Sequence, residues 1–139
     1  MKKISILFVM AILLFSCDAL SPIAKGSTDI AKLYGNWILQ NNKDAELGFN
    51  ASPLSINFQK EDTEIKVNGF AGCNRFFGPC TAQAGVINFS NLASTRMACP
   101  QLDIENRYLS LLGKSNRYEI KGKDLYLYQN NLLLLHFKR

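Results

Sequence analysis

A chain of 139 residues, 47% of them hydrophobic, has room for one domain of ordinary size that buries about two thirds of its unfolded surface. Its net charge of +5 comes from Lys and Arg scattered in no run of four, which excludes nucleic-acid binding through a basic stripe. With His136 as the single histidine and no close pair of cysteines, the chain also lacks the makings of a zinc site.

The first residues have the three parts of a secretory signal. Lys2 and Lys3 form a basic region, Ile6 to Phe15 is an apolar run, and Ser16 is a small residue before Cys17. The run is shorter than the roughly 20 residues that a membrane-spanning helix needs. Leu14-Phe15-Ser16-Cys17 resembles a bacterial lipobox, with Phe15 bulkier than the residue usual there. The expectation is therefore a lipoprotein signal peptide over residues 1–16 and a lipid on Cys17. The alternative is plain secretion, which leaves Cys17 an ordinary thiol. No second apolar span follows, so the expected mature chain is anchored or soluble and does not cross the membrane. Loss of Lys2 and Lys3 lowers its charge from +5 to +3. Asp18 to Thr28, containing Ser21, Pro22, Gly26 and Ser27, reads as a polar tether. Residues 17–32 thus precede a single domain over residues 33–139.

Leu33 to Leu39, with Tyr34 and Trp37, reads as a first strand with Gly35 at a bend. Asn41 to Pro53 is polar and rich in turn formers. Leu54, Ile56 and Phe58 alternate with Ser55, Asn57 and Gln59, the period of a half-buried strand. Glu61, Asp62 and Glu64 mark a hairpin tip, and Ile65 and Val67 alternate onward.

The next stretch, Gly69 to Cys80, reads GFAGCNRFFGPC. Gly69, Gly72 and Gly78 permit positive φ or close backbone approach. Asn74 tolerates a left-handed conformation and can hydrogen-bond its own backbone. Phe76 and Phe77 point to opposite faces of an extended segment, so one of them can fill the core. The stretch reads as a kinked run into a strand, not as a catalytic loop.

Val86, Ile87 and Phe89 form another short strand, and Leu92 to Ala98 continues extended until Pro100. Ile104, Tyr108, Leu111 and Leu112 share one face of a helix. Asp103 and Glu105 near its start and Lys114 in its last turn suit the helix dipole. Tyr118 and Ile120, the turn Lys121-Gly122-Lys123-Asp124, the strand Leu125 to Tyr128 and the tight turn Asn130-Asn131 lead to Leu132 to Phe137. That last run is nearly all apolar and is expected to be central or covered on both faces. The fold class is α+β, a compact antiparallel barrel-like or two-sheet domain with one late helix packed against it.

GFAGCNRFFGPC, then STRMACP at Ser94 to Pro100, then a helix carrying Glu105, Tyr108 and Leu112 together resemble the META domain, the family of HslJ-type heat-shock lipoproteins. The motif residues are Gly69, Gly72, Asn74, Arg75, Phe76, Phe77, Gly78, Arg96 and Met97. Cys80 stands where the family usually has Tyr. The resemblance implies a barrel-like antiparallel fold with a packed helix, an envelope location, a link to heat shock and stress response, and no established reaction. Similar folds occur among lipoproteins that pilot secretins to the outer membrane, some of which hold lipid in a cavity. Cys73 and Cys99 lie in the two family motifs, so the resemblance makes them the first choice for a disulfide. Cys80 with Cys99 is the rival pairing, Cys80 is otherwise a free thiol, and a reduced Cys73 and Cys99 is the remaining possibility.

The residues offer no catalytic set. A Cys-His pair would have to use His136, inside the last strand, where a polar residue on the exposed side is the simpler reading. The glycine spacing fits no nucleotide fingerprint and no nucleophile elbow is present. Glu61, Asp62 and Glu64 lack the alternating oxygen pattern of a calcium loop. Arg75 and Arg96 are expected to pair with carboxylates near the helix start, such as Asp103 or Glu105, with ligand contact as the alternative. Tyr126, Tyr128 and Trp37 are candidates for an exposed aromatic face, with core or rim packing an equal alternative. The sequence thus points to a non-enzymatic envelope lipoprotein without cofactor or metal, lipid-anchored and facing the periplasm, with the outer membrane as the expected site. Its domain is expected to bind an envelope protein in stress tolerance or secretion assembly. The alternatives are a carrier of a hydrophobic or lipid ligand and, more distantly, a thiol enzyme using Cys80.

Overall fold

The computed structural model describes residues 26–40, 53–100 and 102–139. The expected signal peptide, Cys17, most of the tether and most of the loop after Leu39 lie outside the described residues. A 3-10 turn at Ile30–Lys32 opens the domain, with Asp29 accepting the Ala31 N–H at 2.9 Å as its cap. The strands are β1 (Gly35–Leu39), β2 (Ser55–Glu61), β3 (Glu64–Phe70), β4 (Arg75–Gln83), β5 (Val86–Phe89), β6 (Ala93–Ser94), β7 (Arg117–Lys121), β8 (Asp124–Gln129) and β9 (Leu132–Lys138). One helix, α1 (Leu102–Lys114), lies between β6 and β7.

The strands are antiparallel neighbours in the order β3-β2-β1-β9-β8-β7-β5-β4-β6. Strand β3 also pairs with β4, from Ile65 opposite Cys80 to Phe70 opposite Arg75, so the order returns on itself. With β3 on one side of β4, strands β5 and β6 succeed one another along the other side. The chain's first strand lies between β2 and its last strand.

Period-two alternation explains which side chains are inside. Ile56 and Phe58 of β2, Ile65 and Val67 of β3, Phe76 and Cys80 of β4, and Leu125 and Leu127 of β8 are all buried. Helix α1 covers the interior with Tyr108, Leu111 and Leu112, and Ile104 packs half-buried at its margin. The Tyr108 ring meets Phe76 edge-on at 5.8 Å and Phe137 at 6.4 Å, and its hydroxyl donates to the Ser55 carbonyl at 3.2 Å. Burial holds that hydroxyl's pKa well above the usual tyrosine range.

Three expectations change. The first strand begins at Gly35, not Leu33, because the chain turns through the 3-10 segment and Gly35 takes φ 111°. The stretch from Leu92 to Ala98 is strand only at Ala93–Ser94: Thr95 still donates its N–H to the Arg75 carbonyl at 3.0 Å, and beyond it the Met97 N–H donates to the Asn74 side chain instead of to a ladder. Asn74 does not take positive φ; Gly72 does, at φ 102°, which leaves the Asn74 side chain for another task. Gly69 and Gly78 serve close approach instead of positive φ: a Cβ on Gly69 would overlap the Ser55 carbonyl, and one on Gly78 would stand 2.9 Å from Leu92.

Candidate functional site

The two sequence motifs meet at the end of the sheet covered by α1. The chain turns between β3 and β4 at Ala71 to Asn74, closed by the Ala71 N–H donating to the Asn74 carbonyl at 2.9 Å. The segment Thr95 to Cys99 passes alongside. Cys73 and Cys99 are joined as a disulfide, with Cα atoms 6.2 Å apart across 26 residues of sequence.

Asn74 is the centre of this junction and is almost wholly buried. Its Oδ1 accepts from the Met97 N–H at 2.8 Å and from the Thr95 hydroxyl at 2.9 Å, and its Nδ2 donates to Cys73 Sγ at 3.3 Å. Its own N–H donates to Glu105 Oε2 at 2.9 Å. One asparagine thus ties both motif segments, and through Glu105 the first turn of α1, into a single unit. Glu105 is a buried carboxylate whose task is this backbone bond, and neither Arg75 nor Arg96 pairs with it or with Asp103 among the described residues. The expected arginine pairing is corrected accordingly: the buried acid is already engaged, and both guanidiniums lie on the exposed surface.

On this locked support stand exposed side chains of mixed chemistry. Phe77 is 55% exposed on β4, and Met97, 61% exposed, shares a surface depression with the exposed Leu102. Phe76 of the same dipeptide is buried against Tyr108, so alternation across β4 sends one phenylalanine inward and the other outward. The outward Phe77 lies opposite Asn68 on β3 and Ala93 on β6. It borders a surface groove lined in part by Gln59, Lys66, Asn68 and Pro79. A second shallow depression, open at the surface, lies over Asn74, Thr95, Met97, Leu102 and Glu105.

The remaining candidates are placed elsewhere. Cys80 is a free thiol facing the core, and burial pushes it up to about 12, the state of a packed side chain and not of a nucleophile. His136 lies on the outer side of β9, with Nε2 2.8 Å from Asp124 Oδ1 and its ring stacked on Tyr126 at 4.5 Å. It is thus more covered than a simple exposed strand position. Trp37 does not join Tyr126 and Tyr128 on an outer aromatic face. It is fully buried, its indole N–H donates to the Leu33 carbonyl at 2.7 Å, and the Arg139 guanidinium lies over its ring at 4.4 Å. Arg117 lies over Tyr128 at 3.8 Å, so that tyrosine is also partly covered. Among the described residues no cluster of His, Cys, Asp or Glu could hold a metal ion.

Sequence reading missed Thr95 and the burial of Glu105. The second had a signal: Glu105, Tyr108 and Leu112 are spaced three and four apart, which puts the acid on the apolar face of α1.

The family model of the META domain matches residues 30–139. An NMR structure of a protein from Burkholderia xenovorans is similar at 24% identity and TM-score 0.67, over 88% of this chain and 93% of that one. A second NMR structure is similar at 26% identity and TM-score 0.54, over 76% of this chain and 88% of that one. No curated protein matches.

Proposed function

Because this chain belongs to the META domain family, we propose that it is a non-enzymatic envelope lipoprotein of the HslJ type whose motif end binds another envelope protein. The observation behind the reading is two large apolar side chains more than half exposed, Met97 on the segment held by the disulfide and Asn74, and Phe77 on β4, three residues after Asn74. Large apolar side chains exposed on a rigid base suit protein contact, and exposed Arg75 and Arg96 supply a polar rim. The closed cycle of strand pairings favours reading the sheet as a small barrel.

The lipoprotein part rests on the signal-like residues 1–16 and Cys17, and the reading places the domain in the periplasm, anchored to the outer membrane, with a role in stress tolerance or envelope assembly. Two alternatives carry less support. A hydrophobic carrier needs internal space, and Trp37, Phe58, Phe76, Tyr108 and Phe137 occupy the region between sheet and helix. A thiol enzyme needs a thiolate, and the environment of Cys80 opposes one.

The test is photocrosslinking in the native envelope from positions 77 and 97, with Gly122 as a control position. A specific adduct under heat stress from the first two and not from the third is expected. Equal adducts at all three, or none, would remove the support for a partner at this end.

A further inference from the structure

The chain enters the domain at the end away from the motif loops. Ser27 makes both bonds of an antiparallel bridge with Ile120, at 2.7 and 2.8 Å, and Tyr118 donates its hydroxyl to the Thr28 carbonyl at 2.7 Å. Antiparallel pairing puts Gly26 opposite Lys121, and a Cβ on the glycine would stand 2.9 Å from Glu119 Cβ and 3.3 Å from Lys121 Cε. The described chain thus joins the domain at Gly26 and Ser27, next to the turn between β7 and β8.

Turns in an antiparallel meander alternate between its ends. The β2–β3, β4–β5 and β7–β8 turns share one end, while the connection through Asn74, the β8–β9 turn and α1 share the other. On the reading that Cys17 is lipidated, we propose that the anchored protein stands with its β7–β8 turn against the anionic headgroups of its own bilayer, and with the motif end turned away.

Reach decides the orientation. Ten residues lead from Cys17 to Ser27, at most about 35 Å when fully extended. The nine residues of β4 alone span about 30 Å. With the strands tilted as in a small barrel this is a rise of roughly 20–25 Å, so the motif end could meet the bilayer only if most of the lead were drawn out along the domain.

Charge points the same way. Lys121 and Lys123 flank the turn, and Lys138 lies opposite Asp124 on the neighbouring strand. Two carboxylates stand among them, Glu119 bridged by Arg117 and Lys121, and Asp124 bonded to His136, so the cations Arg117, Lys121, Lys123 and Lys138 outnumber them four to two. The acidic turn Glu61 to Glu64 is at the same end but across the ring from β7. The side where the chain emerges is thus the cationic one, and anionic lipid attracts it.

The experiment uses the full lipidated chain in nanodiscs of phosphatidylglycerol doped with a gadolinium-chelating lipid, read by amide NMR. Expected is loss of the Gly122, Lys123 and Asp124 signals with Thr95 to Ala98 retained. If a chain of verified lipidated mass loses Thr95 to Ala98 first, or both regions equally, the orientation is overturned and the lipoprotein reading stands. A mass without the diacylglyceryl group overturns both. In the triple variant Lys121→Gln, Lys123→Gln, Lys138→Gln the preferential loss should weaken; an unchanged pattern overturns the headgroup contact.

Discussion

Replacing Asn74 with Ala removes the side chain that joins the two motif segments while leaving the Cys73–Cys99 disulfide in place. Two good hydrogen bonds disappear, to the Met97 N–H at 2.8 Å and to the Thr95 hydroxyl at 2.9 Å. Each is worth about 1 kcal/mol net. Met97 is exposed, so water can replace the asparagine at its N–H and the penalty for an unsatisfied donor stays small. The site of Asn74 itself is buried, and the small void left there adds about 0.5–1 kcal/mol. The expected loss is about 2–3 kcal/mol, which lowers the unfolding midpoint of a domain of this size by about 10 °C. The assay is thermal and urea unfolding of the chain from Asp18 onward, monitored by Trp37 fluorescence and circular dichroism, with the disulfide checked by mass. Thr95→Val loses the hydroxyl's bond to Asn74 and the one it accepts from the Arg75 N–H at 3.3 Å, and should cost about 1–2 kcal/mol. A loss below about 0.5 kcal/mol for Asn74→Ala, disulfide intact, would refute the claim that this residue unites the two segments.

Two glycines in different surroundings should respond oppositely to alanine. Gly69→Ala would overlap the Ser55 carbonyl and bring Cβ within 2.7 Å of the Phe76 ring, costing about 3 kcal/mol, whereas Gly113→Ala projects into open space on α1 and should stabilise by about 0.5–1 kcal/mol; equal urea midpoints for the two variants would contradict the packing described. Alkaline pH should also weaken the fold, because burial raises the Cys80 thiol to about 12 and the Tyr108 hydroxyl well above its ordinary value. The stability these groups contribute is complete below their unfolded pKa values, about 8.5 and 10, and is lost as pH rises toward the folded ones, since only the unfolded chain releases the protons. A urea midpoint that falls between pH 8 and 10.5, and falls less in Cys80→Ala, is the expected result; a flat profile would count against it.

Much of the sheet was legible because its physics is local. Leu54, Ile56 and Phe58, and later Leu125 and Leu127, alternate with polar neighbours, and that period fixes which face is inside. The turns at Asp62, Gly122 and Asn130 were legible for the same reason, since each residue tolerates the positive φ that its hairpin needs. The candidate site was not legible in this way. Thr95 to Cys99 has no periodicity; its path is set by Asn74 and Cys73, more than 20 residues earlier in the chain. Trp37 and Tyr126 both sit in alternating segments with amphipathic aromatics, and only the strands placed beside them decide that one is core and the other outer surface. The choice of Gly72 over Asn74 for positive φ likewise reflects a tertiary demand, the need for an asparagine side chain at the junction.

The neighbour relation of β1 and β9 has a consequence for the order of events as the chain emerges and folds. About 100 residues separate Gly35 from Leu132, so β1 lacks one of its two partners for as long as the last segment is missing. During that interval Ile38 and Leu39 have no β9 beside them, and Trp37 lacks the cover of Arg139. Such long-range pairing slows folding relative to helix formation and keeps the nascent chain open until its last segment is available. A chain halted before Leu132 would leave β1 and β8 each with a bare edge, two adhesive strands in place of a closed sheet.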